Sequence, residues 1–375
     1  MTDVLDAVLR WLGEGRRVAI ATLVAVERSA PRDPGAALAV DDRGEVAGSV
    51  SGGCVEGAVY EEAADVIATG RPRLVTYGIS DEVATEFGLT CGGTIHVFIE
   101  RADAPLVQRL ARAIRGNAPV AIGTRMDGSG VGAKLLVDGT GVAGTLGDAR
   151  LDAVAERAIR GALDLGATGI RAFGTAGEPT GTDLRLFVRS WAPQPDMLIF
   201  GAIDFSRAMA TAAKFLGYRT IVVDARPIFA TRARVPDADD VVVAWPDEYL
   251  AAATITRRTA IVVLTHDVKF DIPLLEIALR SQAGYIGAMG SRRTHAERVR
   301  LLRERGVGDA ELVRVHAPIG LDLGARTPEE TAISIAAEIV AVKSGRSGAP
   351  LRDGTKPVHD APSNVTGGVA EPAVS

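Results

Sequence analysis

Residues 197–224 read MLIFGAIDFSRAMATAAKFLGYRTIVVD, and this segment gives the strongest indication of the fold. Residues 197–200 are apolar and predict a strand, and the apolar periodicity of residues 205–216 predicts a helix that Gly217 ends. Residues 220–224 predict a second strand. A strand, a helix and a strand within one short segment indicate two parallel strands joined by a crossover helix.

The same alternation continues toward the C-terminus and predicts a doubly wound, Rossmann-like parallel-sheet domain over residues 197–343, with helices on both faces. Before it, residues 191–196 contain two prolines with polar flanks and are predicted to be a linker. Beyond it, residues 344–375 are rich in Gly, Pro and Ser without periodicity, which predicts a disordered tail. The further elements predicted are strands 241–243, 260–264 and 285–289, helices 272–280 and 294–305, and a capped helix starting at Thr327.

Residues 1–190 predict a different kind of domain, an N-terminal α+β domain with a mixed sheet. An amphipathic helix over residues 1–17 precedes a nearly continuous apolar run at 17–26, which predicts a strand covered on both faces. Short strands and one helix, at 148–165, fill residues 118–189, and we expect them to form the sheet that completes this domain. The chain as a whole is therefore predicted to be an α/β protein. Also predicted are a helix at 56–69 and strands at 74–77 and 94–100.

The composition argues against several classes of protein. The 375 residues carry a net charge of −5, which gives no reason to expect a nucleic acid or a membrane surface as partner. No apolar run approaches the roughly 18 residues of a membrane-spanning helix, and the acidic, amphipathic start does not resemble a secretion signal. Two cysteines without such a signal indicate a reducing compartment, so we expect a cytoplasmic protein.

The two cysteines lie in similar glycine-flanked motifs. Residues 48–56 read GSVSGGCVE, and residues 90–93 read TCGG. Cys54 lies where a loop becomes a helix, so we expect backbone N–H groups without partners there, which would favour a thiolate or a bound anion. The two glycines before it would let a ligand approach that backbone. The alternative is a small buried residue in a tight turn, but a second such motif at Cys91 favours a shared site.

A polar loop follows the predicted strand 260–264, at the edge where open parallel sheets bind ligands. His266 in this loop would transfer protons or hold a ligand, and the alternative is a hydrogen-bonded loop histidine. Three further side chains, Asp267, Lys269 and Asp271, are expected to add charge to the same edge.

Two more loops of the second domain are candidates for ligand binding. Ser291 is expected to cap a helix whose first turn carries Arg292 and Arg293, and by residue type this is the best anion site in the chain. The alternative is that both arginines merely face solvent. The glycine-rich residues 316–324 precede the helix start at Thr327 and are expected at the same edge, so these loops would converge around one crevice.

The segment from residue 201 to Asp224 has the spacing of a dinucleotide-binding motif, but its residue types disagree with that function. Ile203 stands where a glycine would admit the pyrophosphate. Asp204 places a negative charge at the helix start, where it caps the helix and repels phosphate. The segment therefore predicts the fold and argues against bound NAD(P).

In these motifs the chain resembles the xanthine dehydrogenase accessory factor family, of the XdhC/CoxI type, over residues 1–343. Several long motifs in the right order make this resemblance more specific than any single glycine pattern. The motifs are residues 21–24, 28–32, 48–56 and 91–93 in the first domain, and 223–227, 265–267, 287–294, 318–321 and 327–330 in the second.

The resemblance implies a maturation factor for molybdenum hydroxylases of the xanthine dehydrogenase type. Such a protein binds the molybdenum cofactor (molybdopterin), protects it while a cysteine desulfurase supplies sulfur for its terminal sulfido ligand, and helps to insert it into an apo-enzyme. This function implies a chaperone without catalytic residues, whose partners are the molybdenum hydroxylase apo-enzyme and the desulfurase. We also expect a homodimer, the commonest oligomer of soluble proteins.

The cofactor is a pterin that carries a phosphate and a dithiolene-bound molybdenum. Under the resemblance, Cys54 and Cys91 would contact the metal or relay sulfur, and which of them does so stays open. Arg292 and Arg293 would hold the phosphate. The residues expected at the cofactor are Ser51, Gly52, Gly53, Cys54, Glu56, Cys91, Gly92, Gly93, His266, Asp267, Gly290, Ser291, Arg292, Arg293 and Gly320.

One loop departs from the family pattern, because members commonly carry Gly-x-Gly-His where residues 201–204 of this chain are Gly-Ala-Ile-Asp. A ligand bound through that loop is therefore not implied for this chain. Two other functions remain as alternatives. One is an NAD(P)-dependent oxidoreductase, which tight binding of either nucleotide would favour. The other is a protein-interaction module that recruits a desulfurase and a client but holds no cofactor, which would require neither cysteine.

Overall fold

The computed structural model describes residues 2–28, 30–78, 93–174, 178, 181 and 184–354, and they form two compact units that divide between Pro193 and Gln194. The elements of the first unit are α1 Thr2–Gly13, β1 Val18–Glu27, β2 Ala37–Asp41, β3 Val46–Ser49, α2 Glu56–Thr69, β4 Arg73–Tyr77, β5 Thr94–Arg101, α3 Ala104–Arg115, β6 Val120–Arg125, β7 Lys134–Asp138, β8 Gly141–Thr145, α4 Ala149–Leu165, β9 Gly169–Phe173 and β10 Leu184–Trp191.

The first sheet of this unit is antiparallel, with the strand order β3-β2-β1-β5-β4. The central strand β1 is buried on both faces, as its apolar run predicts. Ala19, Ala21 and Leu23 pack with the buried face of α2, whereas Val18 and Ile20 pack with the buried face of α1. The alternation of side chains along a strand sends these two sets to opposite sides, so β1 anchors both layers.

A second antiparallel sheet, with the order β8-β7-β6-β10-β9, belongs to the same unit. The strands β6 to β10 therefore form the sheet that was expected to complete this domain, and both sheets are antiparallel rather than mixed. Both edges of β1 are already taken by β2 and β5, and β6 pairs with β7 and β10 instead. The predicted helix α4 covers this second sheet closely, since a Cβ at Gly123 would lie 2.8 Å from Ile159 Cδ1.

Helix α3 was not among the predicted elements, although its start carries recognisable signals. Asp103 precedes it and accepts a hydrogen bond from the Leu106 N–H at 3.1 Å, and Pro105 lies in the first turn. Its apolar face, which includes Leu110, packs against the second sheet and against α1. The helix therefore contributes to the core of the first unit.

The second unit contains a six-stranded parallel sheet with the order β13-β12-β11-β14-β15-β16. Helices cover both faces, which confirms the doubly wound prediction: α6, α7 and α8 pack on one face, and α5 and α10 on the other. The elements of this unit are β11 Asp196–Phe200, α5 Asp204–Phe215, β12 Arg219–Asp224, β13 Asp240–Val243, α6 Pro246–Ala252, β14 Ala260–Val263, α7 Val268–Arg280, β15 Tyr285–Ala288, α8 Arg292–Glu304, α9 Asp309–Leu312, β16 Val315–His316 and α10 Pro328–Lys343.

The predicted helix starts can be compared with the residues that cap the helices in the structure. Thr327 accepts a hydrogen bond from the Glu330 N–H at 3.1 Å, which confirms the predicted start of α10. Helix α7 begins at Val268, four residues earlier than predicted, because Asp267 caps it. Among the described helices, none is long and apolar enough to span a bilayer. Of the predicted tail, residues 344–354 include a 3-10 turn at Leu351–Asp353, and 355–375 lie outside the described residues.

Candidate functional site

The loop from Val50 to Val55 joins β3 to α2 in the first unit, and its glycines leave one side open. Gly52 and Gly53 have φ values of +79° and +121°, a region that residues with a Cβ rarely adopt. A Cβ at Gly53 would meet no atom within 4 Å, and one at Gly52 would meet only Pro31, at 4.0 Å. A ligand would therefore meet bare backbone on this side of the loop.

The carboxylate of Glu56 fastens the loop to the start of α2. It accepts hydrogen bonds from the hydroxyl groups of Ser49 and Ser51, each at 2.5 Å. It also accepts from the backbone N–H groups of Ser51 and Gly53, each at 2.9 Å. One side chain thus joins the end of β3, the glycine turn and the first residue of the helix.

The backbone N–H groups of this loop are not free, so the expectation of N–H groups without partners is wrong. Those of Val50 and Val55 also donate to Glu56, each at 3.2 Å. The acidic side chain of the helix's first residue occupies the position that an external anion would need. The other donors are the Gly52 N–H to Ser49 Oγ at 2.8 Å and the Cys54 N–H to Ser51 Oγ at 3.0 Å.

Hydrogen bonding also fixes the charge of Glu56. Partial burial opposes ionisation of its carboxyl group, but the hydroxyl groups of Ser49 and Ser51 and the Ser51 N–H outweigh this effect and lower its pKa to about 2. At neutral pH the loop therefore carries a fixed negative charge, which would repel a second anion.

Cys54 lies in this loop as a half-buried free thiol. Part of its side chain packs against the apolar core beneath α2, which includes Val55 and Val59. Sulfur is a soft ligand and a nucleophile. Within the described residues, no group of three or more His, Cys, Asp or Glu side chains could hold a metal ion. The loop thus offers one thiol beside an open glycine turn.

The second cysteine motif is described only at its last residue. Cys91 and Gly92 lie outside the described residues, so their expected role stays a prediction. Gly93 is buried and directly precedes β5. Because Thr94 pairs with Glu27, Gly93 lies at the end of the first sheet where β1 finishes.

His96 is a buried polar residue that the sequence reasoning did not single out. It is 8% exposed, its Nδ1 lies 2.9 Å from Thr76 Oγ1, and its Nε2 lies 3.2 Å from Glu27 Oε1. It therefore links β4, β5 and β1 at the same end of the sheet. The signal in the sequence is a single histidine between Ile95 and Val97 in an otherwise apolar strand.

The carboxyl edge of the second unit's sheet forms a separate candidate site. Strand order reverses between β11 and β14, which is where open α/β sheets bind ligands. The loops that follow these two strands touch, because a Cβ at Gly201 would lie 2.7 Å from Thr265 Cγ2. A glycine with φ of +103° is required there by both its conformation and its surroundings.

A buried ion pair between Arg298 and Asp271 lies beneath this edge. The two side chains are 2% and 1% exposed, and Arg298 Nε donates to Asp271 Oδ2 at 3.1 Å. Arg298 also donates to the carbonyl oxygens of Met289, at 2.6 Å, and Thr265, at 3.2 Å. The expectation that Asp271 adds charge to the exposed edge is wrong. Its buried carboxylate binds Arg298, and Arg298 in turn binds the loops that contain Thr265 and Met289.

The loop after β14 exposes His266 and Asp267. The Asp267 carboxylate caps α7, where it accepts from the Lys269 N–H at 3.1 Å. Its second oxygen lies 3.6 Å from Lys269 Nζ. Asp267 therefore has a structural partner, whereas His266 presents its imidazole to solvent.

The loop after β15 places two arginines at the start of α8. Ser291 caps the helix, as predicted, and accepts from the Thr294 N–H at 3.1 Å. Arg292 and Arg293 are exposed, and neither forms a salt bridge with a described acidic side chain. Gly290 has φ of +142°, which favours glycine, and a Cβ there would make a tight contact of 3.2 Å with Arg298 Nη1. This edge therefore carries two unpaired positive charges next to a helix N-terminus.

Gly320, in the loop after β16, is held by the chain itself. Its N–H donates to Glu338 Oε2 at 2.9 Å, and the Tyr285 hydroxyl donates to the same oxygen at 2.5 Å. A Cβ at Gly320 would lie 2.4 Å from Ser334 Oγ, so the glycine is required for packing. His316 stacks on Tyr285 with ring centroids 4.9 Å apart. The Gly320 N–H is thus not free to bind a ligand.

The position that binds ribose in dinucleotide-binding domains is occupied here. Asp224 is 3% exposed, and its carboxylate accepts from the Ala202 N–H at 2.8 Å and from Arg226 Nε and Nη2 at 2.9 and 2.8 Å. These hydrogen bonds outweigh burial and hold the pKa of Asp224 below its usual value. Asp204 does not cap α5, contrary to expectation: Ile203 is the N-cap, and the Asp204 side chain is exposed.

Comparisons with known proteins agree with this two-unit architecture. A family model described as the XdhC and CoxI family matches residues 11–78, and one described as the XdhC Rossmann domain matches residues 197–339. The molybdenum cofactor insertion chaperone PaoD of Escherichia coli (strain K12) is 28% identical over 349 residues, which cover 92% of this chain and 90% of PaoD.

Two further proteins match over nearly their whole length. A probable xanthine dehydrogenase subunit of Bacillus subtilis (strain 168) is 27% identical over 343 residues, which cover 90% of this chain and 96% of that protein. The crystal structure of a xanthine dehydrogenase from Bacillus halodurans has a TM-score of 0.59 and 28% identity, and the match covers 92% of this chain and 97% of that one. Together with the family models, which match more than half of the residues, these similarities show that the chain belongs to the XdhC and CoxI family.

Proposed function

We propose that this chain is a maturation factor that binds the molybdenum cofactor and assists its insertion into a molybdenum hydroxylase apo-enzyme of the xanthine dehydrogenase type. The observation that carries this proposal is the similarity to the insertion chaperone PaoD, which extends over nine-tenths of both chains. The chain acts as a chaperone that holds its cargo without turning it over. The fold alone would not support this choice, because doubly wound sheets serve many functions.

The metal end of the cargo fits the loop that contains Cys54. The thiol is half-buried beside an open glycine turn, so the molybdenum, already held by its dithiolene, would gain one soft sulfur ligand there. In the sulfur-relay role, the same thiolate would attack the outer sulfur of a persulfide on a cysteine desulfurase, release the desulfurase thiolate, and hold the transferred sulfur as a persulfide for the cofactor. The phosphate does not fit this loop, because Glu56 uses the backbone donors and adds a negative charge.

The second unit, taken by itself, offers an anion site at the start of α8. Arg292 and Arg293 are exposed there without acidic partners among the described residues, and the helix N-terminus favours negative charge. A phosphate bound by both guanidinium groups would satisfy them with charge-assisted hydrogen bonds. His266 is exposed on the neighbouring loop and would contact the same ligand.

An NAD(P)-dependent oxidoreductase is the competing function, and the parallel sheet with its strand-order reversal favours it. Three features oppose it. The Asp224 carboxylate is already engaged by Ala202 and Arg226, Ile203 occupies a position that needs a glycine, and Asp204 places a negative charge where the pyrophosphate would lie. Calorimetric titration with NAD and NADP tests this function directly.

The first experiment is anaerobic reconstitution of the full chain with molybdenum cofactor, followed by counting molybdenum and pterin per chain. The variants are Cys54→Ser, Cys91→Ser and the double variant Arg292→Gln/Arg293→Gln. Arg303→Gln is the matched control, because Arg303 is an exposed arginine near the other end of α8. We expect near-stoichiometric cofactor on the wild type and the control.

The variants separate the parts of the proposal. A large loss of molybdenum in a cysteine variant supports a metal contact at that loop, and a loss of pterin in the arginine variant supports phosphate binding. Wild-type protein that retains neither molybdenum nor pterin overturns the cofactor-carrier function. Co-purification with a cysteine desulfurase and a molybdenum hydroxylase tests the two partners, and light scattering tests the proposed homodimer.

A further inference from the structure

A cavity of about 60 Å³ lies within the first unit, between its two antiparallel sheets and against α3. A buried water needs roughly 10–15 Å³ of such space, so the cavity has room for several waters or one small organic molecule. Its walls are mainly apolar and include Leu106, Leu110 and Phe187. The hydroxyl-bearing side chains of Thr22 and Thr124 also line it.

Arg189, on β10, lines this cavity and has no anionic partner among the residues that the structure describes. The residue is 7% exposed, and its Nη1 is buried without a hydrogen-bond partner in the described part of the chain. Its guanidinium lies over the ring of Trp191, 4.8 Å from the centroid, which compensates only part of its charge. Burial lowers the pKa of Arg189 to about 9. A buried guanidinium without a counter-charge is unfavourable, because nothing compensates its lost hydration, so it calls for a counter-ion.

The other charged groups at the cavity do not supply that counter-ion. Glu100 accepts from Lys134 Nζ at 2.5 Å, so these two side chains neutralise each other. Arg101 donates to the carbonyl oxygen of Ile67 and is exposed, and the exposed Asp103 caps α3. The buried charges that face the cavity therefore sum to +1, which one monovalent anion would balance.

We propose that this cavity binds a small monocarboxylate, with the carboxylate on the Arg189 guanidinium and a short apolar tail against Leu106, Leu110 and Phe187. The planar guanidinium matches the two oxygens of a carboxylate. The apolar walls suit a tail of two or three carbons, and the single excess charge suits a monoanion better than a dianion. This site is independent of the cofactor-binding function proposed above.

The test is calorimetric titration of the full chain, purified in a carboxylate-free buffer, with propionate, neutral propionamide and sulfate. We expect saturable one-to-one binding of propionate and none of propionamide or sulfate. Arg189→Met should weaken propionate binding by about tenfold or more, because the charge-assisted hydrogen bonds are lost. Arg112→Gln, on the exposed side of α3, is the matched control and should leave the affinity within about twofold.

A second variant keeps the test valid if Arg189→Met does not fold. Ile122 pairs with Arg189 on the neighbouring strand and also lines the cavity. Ile122→Phe fills part of the cavity but leaves the charge of Arg189 in place, and it should also weaken propionate binding. Failure of the wild type to bind propionate, acetate or formate overturns the proposal. So does wild-type affinity in both the Arg189 and Ile122 variants, and binding of sulfate in preference to propionate shows the ligand class to be wrong.

Discussion

The loop at Cys54 and the carboxyl edge of the second unit are both glycine-rich turns that lead into a helix, but they are held in opposite ways. In the first, the ionised carboxylate of Glu56 lies within the loop and uses its backbone donors. In the second, the Arg298–Asp271 pair lies beneath the loops, and Arg292 stays exposed above them. The difference teaches that a glycine turn at a helix start binds an anion only if the chain has not filled it first.

The largest expected effect comes from breaking the buried pair. Arg298→Met leaves the Asp271 carboxylate buried without its counter-charge, and we expect the free energy of unfolding to fall by about 3–5 kcal/mol. Urea unfolding of the full chain, followed by circular dichroism, measures this change. The double variant Arg298→Met/Asp271→Leu should recover most of the loss. A single variant that costs less than about 1 kcal/mol would contradict the role of the pair.

A smaller loss is expected when the first loop loses its internal anion. In Glu56→Gln, an amide replaces an ionised acceptor of hydroxyl and N–H groups, and we expect a loss of about 2 kcal/mol in the free energy of unfolding. Glu61→Gln, at an exposed position of α2, is the control and should stay within about 0.5 kcal/mol of the wild type. Equal effects of the two changes would show that Glu56 does not hold the loop.

The same contrast predicts a dependence on pH. The folded-state pKa of Glu56, about 2, lies below the ordinary value of 4.5, so its stabilisation is complete above pH 4.5 and is lost as the pH falls toward 2. The difference in unfolding free energy between the wild type and Glu56→Gln should therefore be constant from pH 7 to about pH 5. The difference should shrink below pH 4.5. A difference that grows on acidification would contradict a lowered pKa of Glu56 in the folded state.

The smallest effects concern the glycines that shape the first loop. Gly53→Ala forces a Cβ into a φ of +121° and should cost about 1 kcal/mol. Gly57→Ala, in the first turn of α2 with no atom within 4 Å of its new Cβ, should instead stabilise by about 0.5–1 kcal/mol. Thermal unfolding measures the midpoint temperature of each variant. A change in the same direction for both variants would contradict the explanation from backbone conformation.

The parallel sheet of the second unit was predictable because strands buried on both faces are continuous apolar runs, and residues 197–200 and 260–263 are of this type. The second sheet of the first unit was expected as the sheet that completes the domain, but its strand order was not predicted. Its short strands, such as β6 and β9, give no signal of which neighbour they pair with, because pairing is decided by distant parts of the chain.

The sequence indicated where some residues of the candidate site lie along the chain, but not which side chains contact each other. Ser291 and Asp267 cap helices, and such caps are local signals. The pair of Arg298 with Asp271 joins residues 27 positions apart, and in the sequence both look like ordinary surface charges. Glu56 likewise looks like an acid placed favourably at a helix start. That its carboxylate turns back into the loop depends on the backbone of the glycines, which the sequence allows but does not specify.

Because Glu56 is covalently part of the loop it fills, it acts as a tethered competitor for the backbone donors. Even a flexible tether gives an effective concentration in the millimolar range, and a side chain already locked in position by Ser49 and Ser51 exceeds that value. A dissolved anion at cellular concentration therefore loses this competition. The loop next to Cys54 therefore disfavours ligands that bind through an oxyanion, because Glu56 already accepts its backbone hydrogen bonds. Ligands that bind through the thiol alone do not compete with Glu56.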